Sequence, residues 1–318
     1  MNAILKSILS LGFVAALLRV TTPILLAAIG GAISTMAGSK NLALEGIMLV
    51  AAFVGVIVSA FTHSVWLAVI LGVAAGVAVA SILAWCALKL NANIFIAAIA
   101  LNMLASGVTV FLLSIIAHDK SYSSSLQSLV IPDWNIPLIR DIPIVGKILS
   151  GHNIMVYLAF AAVALYSVLI YHTPLGLRIR AVGQNPDAAA SVGVSVFKTK
   201  FIAIVLSGVL ASLGGLYLSM GYVSWFGRDM TSGRGFIAAA AVALGVATPL
   251  GTMGASLLFG IVMAISIYMS SLQFPAELIQ VWPYVATIAA LVVFSVHDER
   301  AARKKTGRDV VGSSGSRQ

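Results

Sequence analysis

Along this chain, long apolar runs alternate with short polar breaks, and the length of the runs sets the fold class. Nine apolar segments stand out, at about 8–35, 46–62, 65–88, 93–117, 154–171, 201–222, 235–248, 252–271 and 281–296. A helix needs ~20 residues to cross the hydrocarbon core, and continuous apolarity at that length points to helix. The pattern therefore predicts an all-α polytopic membrane protein with about nine transmembrane helices. Two segments are irregular. The first is long and carries Arg19 and Pro23, so two half-helices are an alternative to one span. The seventh is short and is followed at once by Pro249 and Gly251, which suggests a discontinuous or tilted helix. Small residues recur at helix-packing spacing, as in Gly72/Gly76, Gly208/Ser212, Ala211/Gly215 and the stretch from Gly254 to Gly260. In lipid such residues let helices approach closely, which predicts a tight bundle.

The largest polar break with a readable pattern runs from His172 to Lys200. It holds Arg178, Arg180, Lys198 and Lys200 against one acid, Asp187, which places it on the cytoplasmic side. Inside it the residues predict a short helix with both ends marked. Asn185 is an N-cap, Pro186 fits the first helical position, Asp187 suits the positive end of the helix dipole, and Gly193 closes the end. A helix of roughly two turns cannot cross a bilayer, so it lies at the surface, where another protein can grip it. With this break and the C-terminal tail inside, residues 117–151 fall outside. Cytoplasmic segments then hold 12 Lys and Arg against 6 in external ones. Parity puts the N-terminus outside.

Composition agrees with the pattern. The chain has 318 residues, 60% hydrophobic and 9% charged, with a mean hydropathy of +1.05. A soluble domain carries ~25% charged residues. The net charge of +9 sits in the His172–Lys200 break and in the tail, where Arg300, Arg303, Lys304, Lys305 and Arg308 cluster. That distribution suits orientation and anionic lipid, not nucleic acid. Cys86 is the only cysteine, so no disulfide or thiolate metal site is expected. The run after Lys6 continues past the length of a signal peptide's apolar region, so no cleavage is expected.

Candidate chemistry is sparse. No HExxH, GxSxG or acidic pair on an apolar helix occurs, and the five histidines fall at or near span ends. No catalytic residue and no metal site are expected. There is no P-loop, since Gly146-Lys147 is followed by Ile148, so any ATP hydrolysis belongs to another chain. Polar groups at membrane depth are few. Asn41 and Glu45 interrupt the pattern between the first two spans, and Asn102 lies near the middle of the fourth. Each either faces a cavity or partner, or caps and joins helices. The external break from Trp225 to Phe236 leads into the short seventh span, and broken spans are where transporters place ligand contacts. The bland alternative is a tight turn with an Arg228–Asp229 pair in water. Asn41, Glu45, Asn102 and Phe236 are the candidate substrate-pathway residues.

Three stretches carry a family resemblance. GLRIRAVGQNPDAAASVGVSV resembles the cytoplasmic coupling segment of ABC importer permeases of the branched-chain amino acid, ribose and simple-sugar type. AGSKNLALEGIMLVAA and SGRGFIAAAAVALGVATPLGTMGASLLFG resemble two further stretches of that family, and the three occur in the family's order between residues 37 and 260. The NxxLEG form and GRGFIAAAA look most like the subgroup importing nucleosides or related simple sugars. The resemblance implies that Gly183, Asn185, Pro186, Asp187, Ala188, Ala189, Ser191 and Gly193 form the ATPase-coupling helix. It implies three protein partners: a cytoplasmic ABC ATPase that holds the ATP and Mg, a second related permease (a heterodimer), and an extracytoplasmic substrate-binding lipoprotein. This chain itself would bind no cofactor. Longer members begin with an extra span, whose absence here agrees with nine.

The expected organisation is one transmembrane permease domain over residues 1–297, with its coupling segment at 172–200, and a disordered basic cytoplasmic tail over 298–318. The expected location is a prokaryotic cell membrane, with the C-terminus cytoplasmic. The expected activity is alternating access driven by the separate ATPase, on nucleosides or simple sugars. A branched-chain amino acid is the alternative within the same machine, but its two charges would want compensating charge at mid-membrane, of which the sequence shows almost none. An ion-coupled secondary transporter would want buried acids, and only Glu45 is a candidate.

Overall fold

A computed structural model describes residues 11–123, 126, 128–134 and 151–270, with 285 and 292. Two compact units make up the chain, residues 1–265 and 266–318, and nearly all the described residues belong to the first. In chain order the elements are α1 (Leu11–Met36), α2 (Leu44–Thr62), α3 (Val65–Leu88), α4 (Ile94–Ile116), β1 (Asp133–Trp134), β2 (His152–Asn153), α5 (Ile154–His172), α6 (Pro174–Gln184), α7 (Pro186–Ser191), α8 (Val196–Tyr217) with a π-turn (Leu218–Tyr222), α9 (Arg234–Leu244) and α10 (Pro249–Ser270).

Among the described residues, seven helices are long and apolar enough to cross a membrane: α1, α2, α3, α4, α5, α8 with its π-turn, and α10. The expected span at 235–248 is instead the 11-residue α9, about 16 Å long at 1.5 Å per residue. The ninth expected span, 281–296, and the tail at 298–318 lie outside the described residues, residues 285 and 292 apart. The all-α expectation departs by one two-residue antiparallel ladder, which pairs Asp133 with Asn153 and Trp134 with His152.

The first segment is one helix, not two half-helices, and runs straight through Pro23. Proline removes one amide donor from the ladder. Here the Thr22 hydroxyl donates to the Leu18 carbonyl at 2.7 Å, and α8 closes on the Pro23 carbonyl, with a Cβ at Gly214 falling 2.9 Å from that oxygen. Neither contact reaches the Arg19 carbonyl, the group that Pro23 leaves without its ladder donor; they show α1 continuing through the proline with α8 packed against it.

The centre of the bundle is α1, α2 and α8. In each, 61% of the most apolar stretch is buried, against 17% in α4 at the rim. The small-residue spacing explains the closeness. Gly215 presses on the backbone of Met48, Gly76 on Ser212, and Gly208 on Ala80. Gly254, by contrast, has open space around it. No side chain larger than hydrogen fits at Gly215 without moving α2, because what it would meet is main chain.

The chain alternates between two ends. One holds α6, α7 and the turn after α9, where the Tyr166 hydroxyl donates to the Ala247 carbonyl. At the other, Ser59 accepts from the Leu129 amide, Asn153 donates to the Ile131 carbonyl, and the Phe53 and Phe226 rings meet edge to face at 5.2 Å. Two segments do not alternate simply. They turn back into the bundle from opposite ends, and they position the site.

Candidate functional site

The first inward segment follows α1. Gly38, with φ +73°, ends that helix: its amide reaches the Thr35 carbonyl and the Ser39 amide reaches Ser34. This pair of bonds around a left-handed glycine reverses the chain. Residues 39–43 then run back alongside α1. Asn41 Nδ2 donates to Ser207 Oγ at 3.0 Å, and Asn41 Oδ1 accepts from the Ala43 amide. Ser207 is the twelfth of the 22 residues of α8, so α2 begins near the middle of the bundle and not at its surface.

The second segment descends from the opposite end, through Gly227 to Gly233, and α9 starts where α2 starts. The two helix N-termini meet around one carboxylate. Glu45, in the first turn of α2, accepts from the Gly233 amide at 2.8 Å and from the Gly235 amide at 2.6 Å. A carboxylate there answers two positive helix ends at once and satisfies amides that have no partner within α9. Gly235 is required by closeness, since a Cβ would crowd the Glu45 main chain. Asn102, the ninth of 23 residues in α4, completes the arrangement. Its Oδ1 accepts from the Gly46 amide at 2.8 Å and its Nδ2 donates to the Leu42 carbonyl at 2.9 Å.

Three of the four candidate pathway residues are thus brought together, and their polar atoms hold helix ends. Phe236 differs: it stands 46% exposed at the start of α9. Below it, Ala239 and Ala243 face Thr35, Lys40 and Leu42 across a cavity of about 370 Å³, within the ~300–1,000 Å³ of small-ligand sites. With leucine at position 102, two groups lose their partners. At ~0.6–1.7 kcal/mol per interhelical bond in membranes, Asn102→Leu is expected to cost about 1–3 kcal/mol, read from thermal unfolding in detergent.

Residues 174–191 of the His172–Lys200 break fold as two helices that share Asn185 as a cap, and residues 196–200 already belong to α8. Thr173 Oγ1 accepts from the Gly176 amide to start α6, and Arg180 lies 5.5 Å from the Tyr171 ring centroid, which holds α6 against α5. Asn185 ends α6 and begins α7, where its Oδ1 accepts from the Asp187 and Ala188 amides at 3.1 and 3.0 Å. Pro186 takes the first position, and Gly193 follows the end with φ +86°. Asp187, Ala188, Ser191 and Gly193 are exposed, whereas Ala189 is buried. Gly183 abuts the Met36 carbonyl and Gly38, so the break touches the pivot of the first inward segment through backbone alone.

Three features were missed by sequence reasoning. Ser207 is the partner of Asn41. Val192, just after α7, is 78% exposed, and an apolar side chain standing clear beside a cap was the available signal. The third is charge. Asp229 Oδ1 accepts from Ser106 Oγ at 2.7 Å, with Arg228 Nε 3.6 Å from Asp229 Oδ2. Ser106 is the thirteenth of 23 residues in α4, so mid-depth does hold charge, contrary to the expectation. Among the described residues, no group of three or more His, Cys, Asp or Glu could hold a metal ion.

The sequence model of the family described as "Branched-chain amino acid transport system / permease component" matches residues 13–294. A nucleoside ABC transporter permease protein of Lactococcus lactis subsp. cremoris (strain MG1363), NupC, is 32% identical over 292 residues, 88% of this chain and 91% of its own. A guanosine ABC transporter permease protein of Bacillus subtilis (strain 168), NupQ, is 34% identical over 296 residues, again 88% and 91%. A second Lactococcus protein, the nucleoside ABC transporter permease protein NupB, is 32% identical over 148 residues, 46% of this chain and 39% of its own. No solved structure matches the chain.

Proposed function

The chain belongs to the branched-chain amino acid transport system / permease component family, and on that premise we propose that it is the membrane permease of an ABC importer for nucleosides or related simple sugars. The substrate class rests on the full-length likeness to the nucleoside and guanosine permeases. The observation that carries the mechanism is the exposed α6–α7 unit, capped at both ends and seated on the first inward segment. That end is the cytoplasmic one, because it gathers the Lys and Arg of the break. A separate ABC ATPase grips Asp187, Ala188, Ser191 and Val192, and ATP-driven closure of its subunits moves α7. Gly183, Asn185, Pro186 and Gly193 shape the helix, and Ala189 seats it. A second permease, by the likeness to two Lactococcus permeases, supplies the facing half of the bundle. A lipoprotein delivers solute at the opposite end, and the C-terminus is cytoplasmic.

In this reading Phe236 lines the path, while Asn41, Glu45 and Asn102 set the ends of the helices that flank it. The test is a double change at exposed positions, Asp187→Lys with Ala188→Trp. It puts a cation at the positive end of a helix, costing ~0.3–1 kcal/mol locally, and bulk where a partner groove closes. Guanosine uptake is expected to stop while the permease stays folded in the membrane and its ATPase no longer co-purifies. Retained uptake and co-purification would overturn the coupling assignment.

A further inference from the structure

α4 presents two unlike outer faces at the same depth. Leu104, Val108, Phe111 and Ile115 form one, apolar and exposed, as lipid requires. Ser106 lies ~160° around the helix from both Leu104 and Val108, at 100° per residue. There the hydroxyl meets Asp229 at 2.7 Å, with the Asp229 and Arg228 side chains 51% and 63% exposed. A Cβ added at the neighbouring Gly107 would meet nothing within 4 Å. Asp229 is thus an exposed carboxylate beside an exposed guanidinium, level with the middle of a 23-residue span.

Hydrocarbon cannot cover such a face, because each charge at the bilayer centre carries a penalty of several kcal/mol unless water or protein meets it. The segment that carries Asp229 leads directly into α9, whose Ala239, Val242 and Ala243 line the cavity against residues 35–42.

We infer that Asp229, positioned by Ser106 and balanced by Arg228, is a solute-contacting carboxylate at mid-depth of the transport path, accepting hydrogen bonds from a neutral solute that presents adjacent donors. A carboxylate offers acceptors only, and its bonds to paired donors are the strong, charge-assisted kind. A ribose diol or the N–H edge of a purine provides such a pair. Because Arg228 already balances the charge, the solute itself can be neutral. This inference rests on the proposed importer function and adds the residue that recognises its cargo.

The test uses the complete complex, with its ATPase and second permease, in a Cys86→Ser background that leaves no other thiol in this chain. Ser106→Cys, Leu104→Cys and Val108→Cys are compared with a charged, membrane-impermeant methanethiosulfonate reagent. The reactive thiolate is disfavoured in apolar surroundings, so Ser106→Cys is expected to react roughly tenfold faster than both controls, and guanosine to slow it. Asp229→Asn replaces a charged acceptor by a neutral one and is expected to lower guanosine uptake roughly tenfold with assembly intact. Labelling of Ser106→Cys no faster than the controls would overturn the proposal, showing a face closed by lipid or by a dry subunit contact. Unchanged uptake by Asp229→Asn would overturn it as well. Fast labelling slowed by leucine and not by guanosine would uphold the aqueous site and overturn both the neutral cargo and the nucleoside reading.

Discussion

With Glu45 replaced by leucine, uptake is expected to fall to background and the fold to lose about 3–6 kcal/mol, taking ~1.5–3 kcal/mol for each hydrogen bond to a charged group. The reason is local and specific. The Glu45 carboxylate joins the first turn of α2 to the Gly233 and Gly235 amides of α9. Leucine would leave those amides unsatisfied inside the bundle and two positive helix ends facing each other. Glu45→Gln separates the causes. It keeps one acceptor but turns an amide donor toward a backbone N–H, so an intermediate loss of stability is expected. Thermal unfolding in detergent, alongside uptake in cells, reads both. A Glu45→Leu protein with unchanged melting and transport would show that α9 is held in place by something else.

A second large effect is expected at Gly183. Its Cα lies so close to the Met36 carbonyl that a Cβ would collide with main chain, not with a side chain able to move aside. Gly183→Val therefore pushes α6 and α7 off the end of α1. On the proposed importer reading, the expected outcome is a chain that inserts and assembles but does not transport, with ATPase activity of the complex no longer raised by the loaded binding protein. Gly193→Ala is the matched control. It sits in open space and bears only the strain of its positive φ, so it should cost about 0.5–1 kcal/mol and leave coupling largely in place.

Much of this architecture was legible in the sequence because its signals are local. Apolar runs of span length need no tertiary information, and eight of the nine segments appear as helices within a few residues of their expected limits. The caps at Asn185, Pro186 and Gly193 are likewise written into adjacent residues. The pairings were not legible. Nothing near Asn102 says that it bonds to Leu42 and Gly46, some sixty positions away, and nothing near Asn41 names Ser207. Pro23 suggested a break because a lone sequence shows the missing donor but not the helix, α8, that packs against that turn. The Arg228–Asp229 dipeptide read as an external turn for a similar reason. Charge between two apolar runs is assigned to water outside, and only the inward descent of residues 227–233 carries it to mid-depth. Ala189 shows the limit of motif transfer: it belongs to the helix that resembles the coupling segment, yet its side chain points inward.

The contact between Gly183 and the Met36–Gly38 turn has a mechanical consequence. Two pieces of bare backbone in touch form a stiff joint, with no flexible side chain to absorb a push. Seven residues farther along lies Glu45, the pin through which α2 and α9 move together. On the proposed reading, a stroke delivered to α7 passes through residues 39–43 to the point where the N-termini of α2 and α9 meet, and moves both.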